Sequence, residues 1–496
     1  MSNSTSAKTL AVAPRACANP AVPAGAVVLN PGADIQAAVS NNPAGTIFYL
    51  NAGVYRQGTT NFPVYPASNN VFMGACGAVI NGSTLLTSFT YSNGSYQATN
   101  VPLQTWGINS GSCAAGGTLC TEPQDLFVDN VPLTLVSSAS ALVSGTWYLD
   151  TKNGIAYMYD NPAGHTVEIS TAISAFITQY APLASNVTFI GLTIEKFAGP
   201  TQYGAIGHQY GGPGWIMLNN ELRYNHSAGI VIGNQGSGSI ARGNYIHDNG
   251  ALGITGGGAS SILVANNEMA NNGYAGYDCS NGCGGVKFGE VYNATMLGNY
   301  IHDSTGYGLW CDVDCGLDGS GNSAPVIFQN NYIANNQAAG IFCEISHYCN
   351  IFDNIVLNNG ANGGGWAWGA GIGIAATDHA TIYNNIVSGN FNGIDAAQQS
   401  RGNSGITGQP YEVTNLYVHD NVITITAASQ IAAGIYTDDG DYSLFTPADN
   451  NVFKNNIYNG LSLNSYAFIW WSNNNWYQTA SSWQAVGNDT SGVFNP

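Results

Sequence analysis

NNELRYN (219–225), GNYIHDN (243–249), NNEMANN (266–272), GNYIHDS (298–304), NNYIANN (330–336), DNIVLNN (353–359), NNIVSGN (384–390), DNVITIT (420–426) and NNIYNG (455–460) are variants of one motif. The second residue of each sets a register: Asn220, Asn244, Asn267, Asn299, Asn331, Asn354, Asn385, Asn421 and Asn456. Internal repetition at a period of 20 to 50 residues marks a repeat architecture. The shorter gaps match one coil of a parallel β-helix, and the longer ones add a loop. A second run follows most motifs, opened by glycine and an aliphatic residue: Gly229-Ile230, Gly253-Ile254, Gly308-Leu309, Gly340-Ile341, Gly393-Ile394 and Gly434-Ile435. These runs are short, alternating and bounded by Gly or Asn, which reads as strand. Asn tolerates a left-handed backbone at turns and stacks in ladders. Coils stacked in this way form a solenoid. A propeller or sandwich would require more regular repeats or hairpin signals.

Outward from that core the pattern changes. Residues 26–85 carry a short helix signal, IQAAVS (35–40), then a strand and a glycine turn, and read as the N-terminal cap and first coils. Residues 86–166 lack the Asn motif. They hold LFVDNVPLTLV (126–136), TWYLD (146–150), IAYMYDN (155–161) and the start of HTVEIS (165–170), which read as a small β-rich, sandwich-like insertion. The solenoid resumes within 167–456, and the Trp-rich 457–496 reads as a C-terminal cap. Residues 1–25 read as a tag or trimmed leader. The expected fold class is all-β.

Composition narrows the function. The 496 residues are 45% hydrophobic and only 8% charged; Lys and Arg total 10 and the net charge is −18. So few cations exclude a phosphate-binding nucleic-acid partner, and the acidic balance opposes anionic membranes. No apolar run approaches the roughly 18 residues of a membrane span. The ten cysteines (17, 76, 113, 120, 279, 283, 311, 315, 343, 349) cluster in close pairs. That points to disulfides and a secreted protein. Cys279 and Cys283 lack the His that would complete a zinc site, so no metal and no cofactor is expected. Cys113–Cys120 and Cys279–Cys283 would close local loops. Cys311–Cys343 and Cys315–Cys349 would brace adjacent coils, though spacing leaves the connectivity open.

Aligning the glycine-led strands sorts their residues by face, because alternate residues of a strand point to opposite sides. The first and third places after glycine are Ile230 and Ile232, Val286 and Phe288, Leu309 and Cys311, Ile341 and Cys343, and Ile372 and Ile374, an interior column. The fourth place then faces out and reads Gly233, Gly257, Gly289, Asp312, Glu344, Ala375, Ala397, Asp438. The second reads Val231, Thr255, Lys287, Trp310, Phe342, Gly373, Asp395, Tyr436. Asp312 and Glu344 thus stand in neighbouring coils, which lie about 4.8 Å apart. Like charges so close disfavour joint ionisation. A retaining glycosidase needs a nucleophile and an acid/base about 5–5.5 Å apart, and an inverting pair is wider. Small residues around the pair describe a groove floor.

Further candidates surround the pair. Lys287 precedes Asp312 by one coil and is placed to bind substrate or pair with Asp312. Trp310 adjoins Asp312. Asp314 and Ser346 share the sixth place, and His347 follows. Trp366 and Trp368 lie on the glycine-rich GGGWAWGAG (363–371) and suit stacking on a sugar face. Asp378, Asp395 and Gln398 would form a distal subsite. The DDGD run, 438–441, lacks calcium-loop spacing and reads as a solvated turn.

GLWCDVD (308–314) followed by GIFCEISH (340–347) resembles the paired motifs of glycoside hydrolase family 120 β-xylosidases, within the right-handed parallel β-helix (pectate-lyase-like) superfamily. That resemblance implies Asp312 as nucleophile, Glu344 as acid/base, and a β-sandwich inserted near the start of the helix. CGLDGSGNSAP (315–325) looks like an extra insertion between the motifs. The expected activity is hydrolysis of a neutral plant-type oligo- or polysaccharide, β-xylosidic or similar. Two alternatives stand beside it. A polysaccharide lyase or uronate epimerase would need cations to neutralise a substrate carboxylate, and Arg223, Arg242 and Arg401 are scattered along the chain. A non-catalytic carbohydrate-binding solenoid would need no acid pair.

Overall fold

The computed structural model describes residues 19–56, 62–104, 112–179, 182–362 and 365–496. Most of residues 1–25, and Cys17, lie outside these. Among the described residues three long sheets of 13, 13 and 11 strands build the molecule, the third starting at Gly204–Ile206. From there each coil adds one strand to each sheet. One coil is Val326–Gln329, Tyr332–Ala334 and Ile341–Glu344. Each strand pairs in parallel with those of the coils before and after.

The Asn motif makes the corner between the first and second sheets. The residue before each register Asn has a left-handed backbone: φ is 53° at Asn219, 64° at Gly243, 56° at Asn330 and 58° at Asp353. Only Gly, Asn and Asp take that conformation at low cost, which explains why the motif opens with those residues. The register Asn then turns inward. Each side-chain amide donates to the carbonyl oxygen of the next: Asn299 to Asn331 at 3.0 Å, Asn331 to Asn354 at 2.9 Å, Asn354 to Asn385 at 3.0 Å. The ladder runs from Asn220 to Asn456 and ends on Asp489 Oδ1 at 3.0 Å. A second ladder lies at the next corner. Asn225 bonds Asn249, Asn249 bonds Asn272, the Ser304 hydroxyl accepts from Asn272 N while Ser304 N donates to Asn336, and Asn336 leads to Asn359 and Asn390. It uses the last residue of the same heptapeptides.

The interior is filled by the aliphatic column, with Ile230, Ile254, Val286, Leu309, Ile341, Ile372 and Ile394 nearly inaccessible. The helix at Ile35–Ser40 is capped by Asp34 and buries Ile35 and Val39 over the first coil. Between Ser83 and Ser170 the chain leaves the solenoid and forms two smaller sheets, of four and five strands. They enclose a separate core around Trp147, Met158 and Ile169. Ion pairs of the buried Glu168 with Arg56 and Lys196 tie this insertion to the coils. At the far end Phe468–Ser472 and Asn475–Gln478 form a hairpin on the third sheet, and Trp483 packs behind it.

Cys113–Cys120 and Cys279–Cys283 close local loops. The interior cysteines differ from expectation. Cys343 bonds Cys349 within its own coil, and Cys311 and Cys315 are buried thiols. The reason is local. Ile345 and Tyr348 both take positive φ, so the chain folds back at once and carries Cys349 inward beside Cys343. Among the described residues no helix is long and apolar enough to cross a membrane.

Candidate active site

The third sheet carries the site. Its register pairs Gly289 with Asp312, Asp312 with Glu344, Glu344 with Ala375, and Ala375 with Ala397. The second outward column likewise runs Val231, Thr255, Lys287, Trp310, Phe342, Gly373, Asp395. The last coil departs from the glycine alignment. Ala397 pairs with Tyr436, and Asp395 with Gly434. Ala432 takes the slot that glycine fills in the earlier coils, so the strand slides by two residues. Tyr436 thereby enters the column of the acid pair, and Asp438 falls in the turn beyond it.

Each acid has its own cation. Lys287 Nζ lies 3.0 Å from Asp312 Oδ2, donates to Asn281 O at 3.0 Å, and sits 3.6 Å above the Trp310 ring. Arg401 Nη1 pairs with Glu344 Oε1. The Asp312 side chain is 17% exposed and that of Glu344 8%. Burial pushes the Glu344 carboxyl above the usual carboxylate range; the Arg401 guanidinium opposes this and the charge of Asp312 reinforces it. Asp312 is therefore the more open acid, and burial favours the protonated form of Glu344.

Arg401 is missing from the strand-derived candidates because it belongs to no strand. It follows Asn392–Gln398 in a loop that folds back over the sheet. A network around Asp314 anchors that loop. Asp314 accepts from Tyr411 Oη at 2.8 Å and from Gly405 N at 2.9 Å. His347 links Asp314 to Asp378, at 3.5 and 2.9 Å. Gln398 accepts from Val413 N and donates to Tyr411 O. Asp314 and Ser346 do not continue the outward columns. Val313, Asp314 and Ile345 all have positive φ, so strand alternation stops at Asp312 and Glu344. Asp314, His347 and Gln398 are buried and hold this loop.

The aromatic candidates divide. Trp310 is 2% exposed and packs on Tyr307 at 4.4 Å, with Phe342 beyond. It is floor, not an open platform. The short 3₁₀ turn Trp366–Gly369 lies across the sheet just past Glu344. Trp366 Nε1 donates to Ala396 O at 2.8 Å, and Trp368 lies 6.3 Å from Phe342. Both tryptophans are half-buried. Gly373 permits this cover, because a Cβ there would stand 2.4 Å from Ala367 O. Asp395 lies on the covered part of the sheet, 1% exposed, and its carboxyl is pushed well above the usual range by burial. Of the expected distal subsite, Asp395 and Gln398 are therefore covered by chain and not open to a sugar, while Asp378 is 26% exposed and pairs with His347.

The open space lies on the other side of the pair. A cleft of about 260 Å³ is lined by Asp312, Lys287, Gly289, Thr255, Tyr277 and Asn281, with Ser112 and Gln202 among its walls. A neighbouring hollow of about 230 Å³ shares Gln202 and Thr255 and continues to Asn234. The walls come from loops. The Cys279–Cys283 turn supplies Asn281, and the segment 112–125 of the insertion reaches across to meet it. His226 fixes that segment through Asp125 at 3.0 Å and Cys120 O at 2.9 Å, and Tyr274 donates to Asp125 at 3.1 Å. Among the described residues no cluster of His, Cys, Asp and Glu could hold a metal ion.

Comparison with known proteins agrees with this architecture. Residues 205–387 match the family model described as right handed beta helix region. The chain is similar to the solved structure of XylC in complex with xylose, at 17% identity and a TM-score of 0.63, covering 86% of this chain and 80% of that one. It is also similar to the A-module of the Azotobacter vinelandii mannuronan C-5 epimerase AlgE6, at 14% identity and a TM-score of 0.53, covering 93% and 94%. No curated protein sequence matches. The fold is a right-handed parallel β-helix.

Proposed function

We propose that this protein is a secreted glycoside hydrolase of the retaining type that acts on a neutral plant-type oligo- or polysaccharide, β-xylosidic or similar. The observation that carries the reading is the direct register pairing of Asp312 with Glu344, with Asp312 lining a cleft. Neighbouring strands hold such carboxyls at the spacing of a double displacement. Asp312, held by Lys287, attacks the anomeric carbon. Glu344, whose protonated form burial favours, gives its proton to the leaving oxygen. The carboxylate of Glu344 then takes a proton from water, and the resulting attack on the glycosyl–Asp312 ester releases the sugar with retained configuration. The cleft walls offer hydroxyl, amide and phenol groups to sugar hydroxyls. Three disulfides among the described residues suit an oxidising compartment. The XylC structure, a complex with xylose, is consistent with a pentose substrate.

The similarity to an epimerase keeps a second reading in view, and Arg401 strengthens it, because the chain brings Lys287 and Arg401 to one site. Lys287 is already matched by the Asp312 carboxylate. The net charge of −18 also opposes a polyuronate, so the neutral sugar fits better.

The test is hydrolysis of aryl glycosides and neutral polysaccharides between pH 3 and 7 by wild type, Asp312→Ala and Glu344→Gln. Loss of at least about 10³-fold in both folded variants is expected. Turnover untouched by either change would reject the pair. Unsaturated or epimerised uronate products would replace hydrolysis with the second reading.

A further inference from the structure

The outward column that carries Asp312 and Glu344 does not end there. It passes Ala375 and Ala397 and reaches Tyr436, three coils on. The next strand, Phe468–Ser472, pairs Ile469 with Gly434. Alternation from Ile469 puts Trp471 on the same outer face, while Trp470 turns inward onto Trp483. The hairpin turn Asn473-Asn474 has positive φ at both residues, the geometry of a tight hairpin. A register shift between Ile469 and Ser472 brings Trp476 beside Trp471 at 4.9 Å. Tyr436 lies 5.0 Å from Trp476, and Tyr442 5.0 Å from Trp471. Trp366, on the turn next to Glu344, lies 6.4 Å from Tyr436. Aromatic rings therefore lead from the edge of the candidate site to the end of the sheet.

These rings are not core. Tyr442 is 47% exposed, and Trp471 and Trp476 are partly so. Contiguous exposed aromatic surface marks an interaction site. Its surroundings define what it takes. Asp438, Asp441 and Asp449 lie in the adjoining turns, and Ser443 bonds Asp441 and Asp449 at 2.7 Å. Carboxylates there repel polyuronates, nucleic acids and anionic lipid, yet they accept hydrogen bonds from hydroxyls. Aromatic faces beside uncompensated carboxylates fit the apolar faces and hydroxyl rims of neutral sugars. Tyr436 stands about 14 Å from Glu344 at the strand spacing, so a chain of a few sugars spans both.

We propose that Tyr436, Tyr442, Trp471 and Trp476 form a second saccharide-binding surface that grips a neutral polysaccharide while the Asp312–Glu344 pair works on the same chain. The inference rests on the neutral-glycan reading of the site, and it makes that glycan a polymer.

The test uses the full-length protein and two readouts: retention on insoluble xylan, with polygalacturonate as charged control, and kcat/KM on an aryl xyloside. Wild type is expected to be retained by xylan and not by polygalacturonate. Trp471→Ala, Trp476→Ala and Tyr442→Ala should each weaken retention about tenfold or more, with aryl-xyloside turnover unchanged within about twofold. The exposed Tyr442 keeps the test open if a tryptophan variant misfolds. Retention equal in all variants, or no retention of wild type by xylan, overturns the proposal even if the xyloside is hydrolysed. So does a self-associating wild type, by sedimentation, that becomes monomeric in Trp471→Ala. If no glycoside is hydrolysed but the variants lose xylan, this surface stands and the hydrolase reading fails.

Discussion

The outer face of the third sheet has an open half and a covered half. Before Asp312, Thr255, Gly257 and Gly289 face a cleft. After Glu344, Ala375 and Ala397 occupy the same column and are wholly inaccessible. The strands themselves do not differ, since both halves place small residues outward in one register. The difference lies in the connections. The coils from Asn220 to Asn267 advance by 24 and 23 residues and carry no excess chain. Those from Asn354 to Asn421 advance by 31 and 36. The surplus is Trp366–Gly369 and the loop of Arg401. The coil of Gly289, from Asn267 to Asn299, also advances by 32, but its surplus forms the Cys279–Cys283 turn that walls the cleft. A β-helix thus sets where side chains point by its strands, and which of them meet solvent by where its surplus chain lies.

The largest effect expected from breaking this division is at Gly373. A Cβ there meets Ala367 O at 2.4 Å and Phe342 at 2.8 Å. Gly373→Ala must lift the turn or bend the sheet, at a cost of about 2 kcal/mol. At Gly289, in the open half, the nearest obstacle is Asp312 O at 3.3 Å. Gly289→Ala should stay within about 0.5 kcal/mol of wild type while crowding the cleft and raising KM. Thermal melts and aryl-glycoside kinetics on the two variants check the contrast. Equal melting temperatures would mean that the turn does not bear on the sheet.

A smaller effect is expected at the anchor of the covering loop. Tyr411→Phe removes the bond to Asp314 and loosens the loop that presents Arg401. Arg401→Met removes the guanidinium outright. Both changes withdraw a charge that lowers the Glu344 pKa, so that pKa rises further. With Glu344 as the acid, the alkaline limb of the pH–rate profile should move upward, more in Arg401→Met than in Tyr411→Phe. An alkaline limb that stays put in Arg401→Met would show that Glu344 does not govern it.

These residues also show what the sequence carries and what it does not. The Asn ladder was legible because each coil repeats one solution to one problem: a left-handed turn followed by a buried amide that must find a partner. The Asp312–Glu344 register was legible because strand alternation is strict inside such coils. It failed at Gly434, where glycine no longer marked the slot and Ala432 was small enough to fill it. It failed at Asp314, where positive φ ended the alternation. Arg401 was invisible because loops have no period. Its one signal was being among ten basic residues in the chain. The cysteine pairing depended on how sharply the chain turned after Glu344, which spacing does not encode.

The smallest effect separates the halves by pH. Asp395 sits on the covered half and its carboxyl is pushed well above the usual range by burial. A raised acid holds its proton more tightly in the folded chain than in the unfolded one. Its contribution is therefore present below the unfolded value near 4 and is lost as pH rises toward the folded value. Glu344, raised by burial, acts in the same direction. So do His226, His247 and His302, whose carboxylate neighbours outweigh burial and raise them; their support fades as pH climbs past about 6.5. Glu221 opposes this trend. Its bond to His247 lowers it to about 2, so its stabilisation is lost as pH falls below about 4. Stability should therefore peak in mild acid and decline toward pH 8. Asp395→Asn keeps the buried group neutral at every pH and should flatten the decline between pH 5 and pH 8. Melting curves at pH 5 and pH 8 decide it. An undiminished decline in Asp395→Asn would mean that the covered half admits enough water to ionise Asp395 freely.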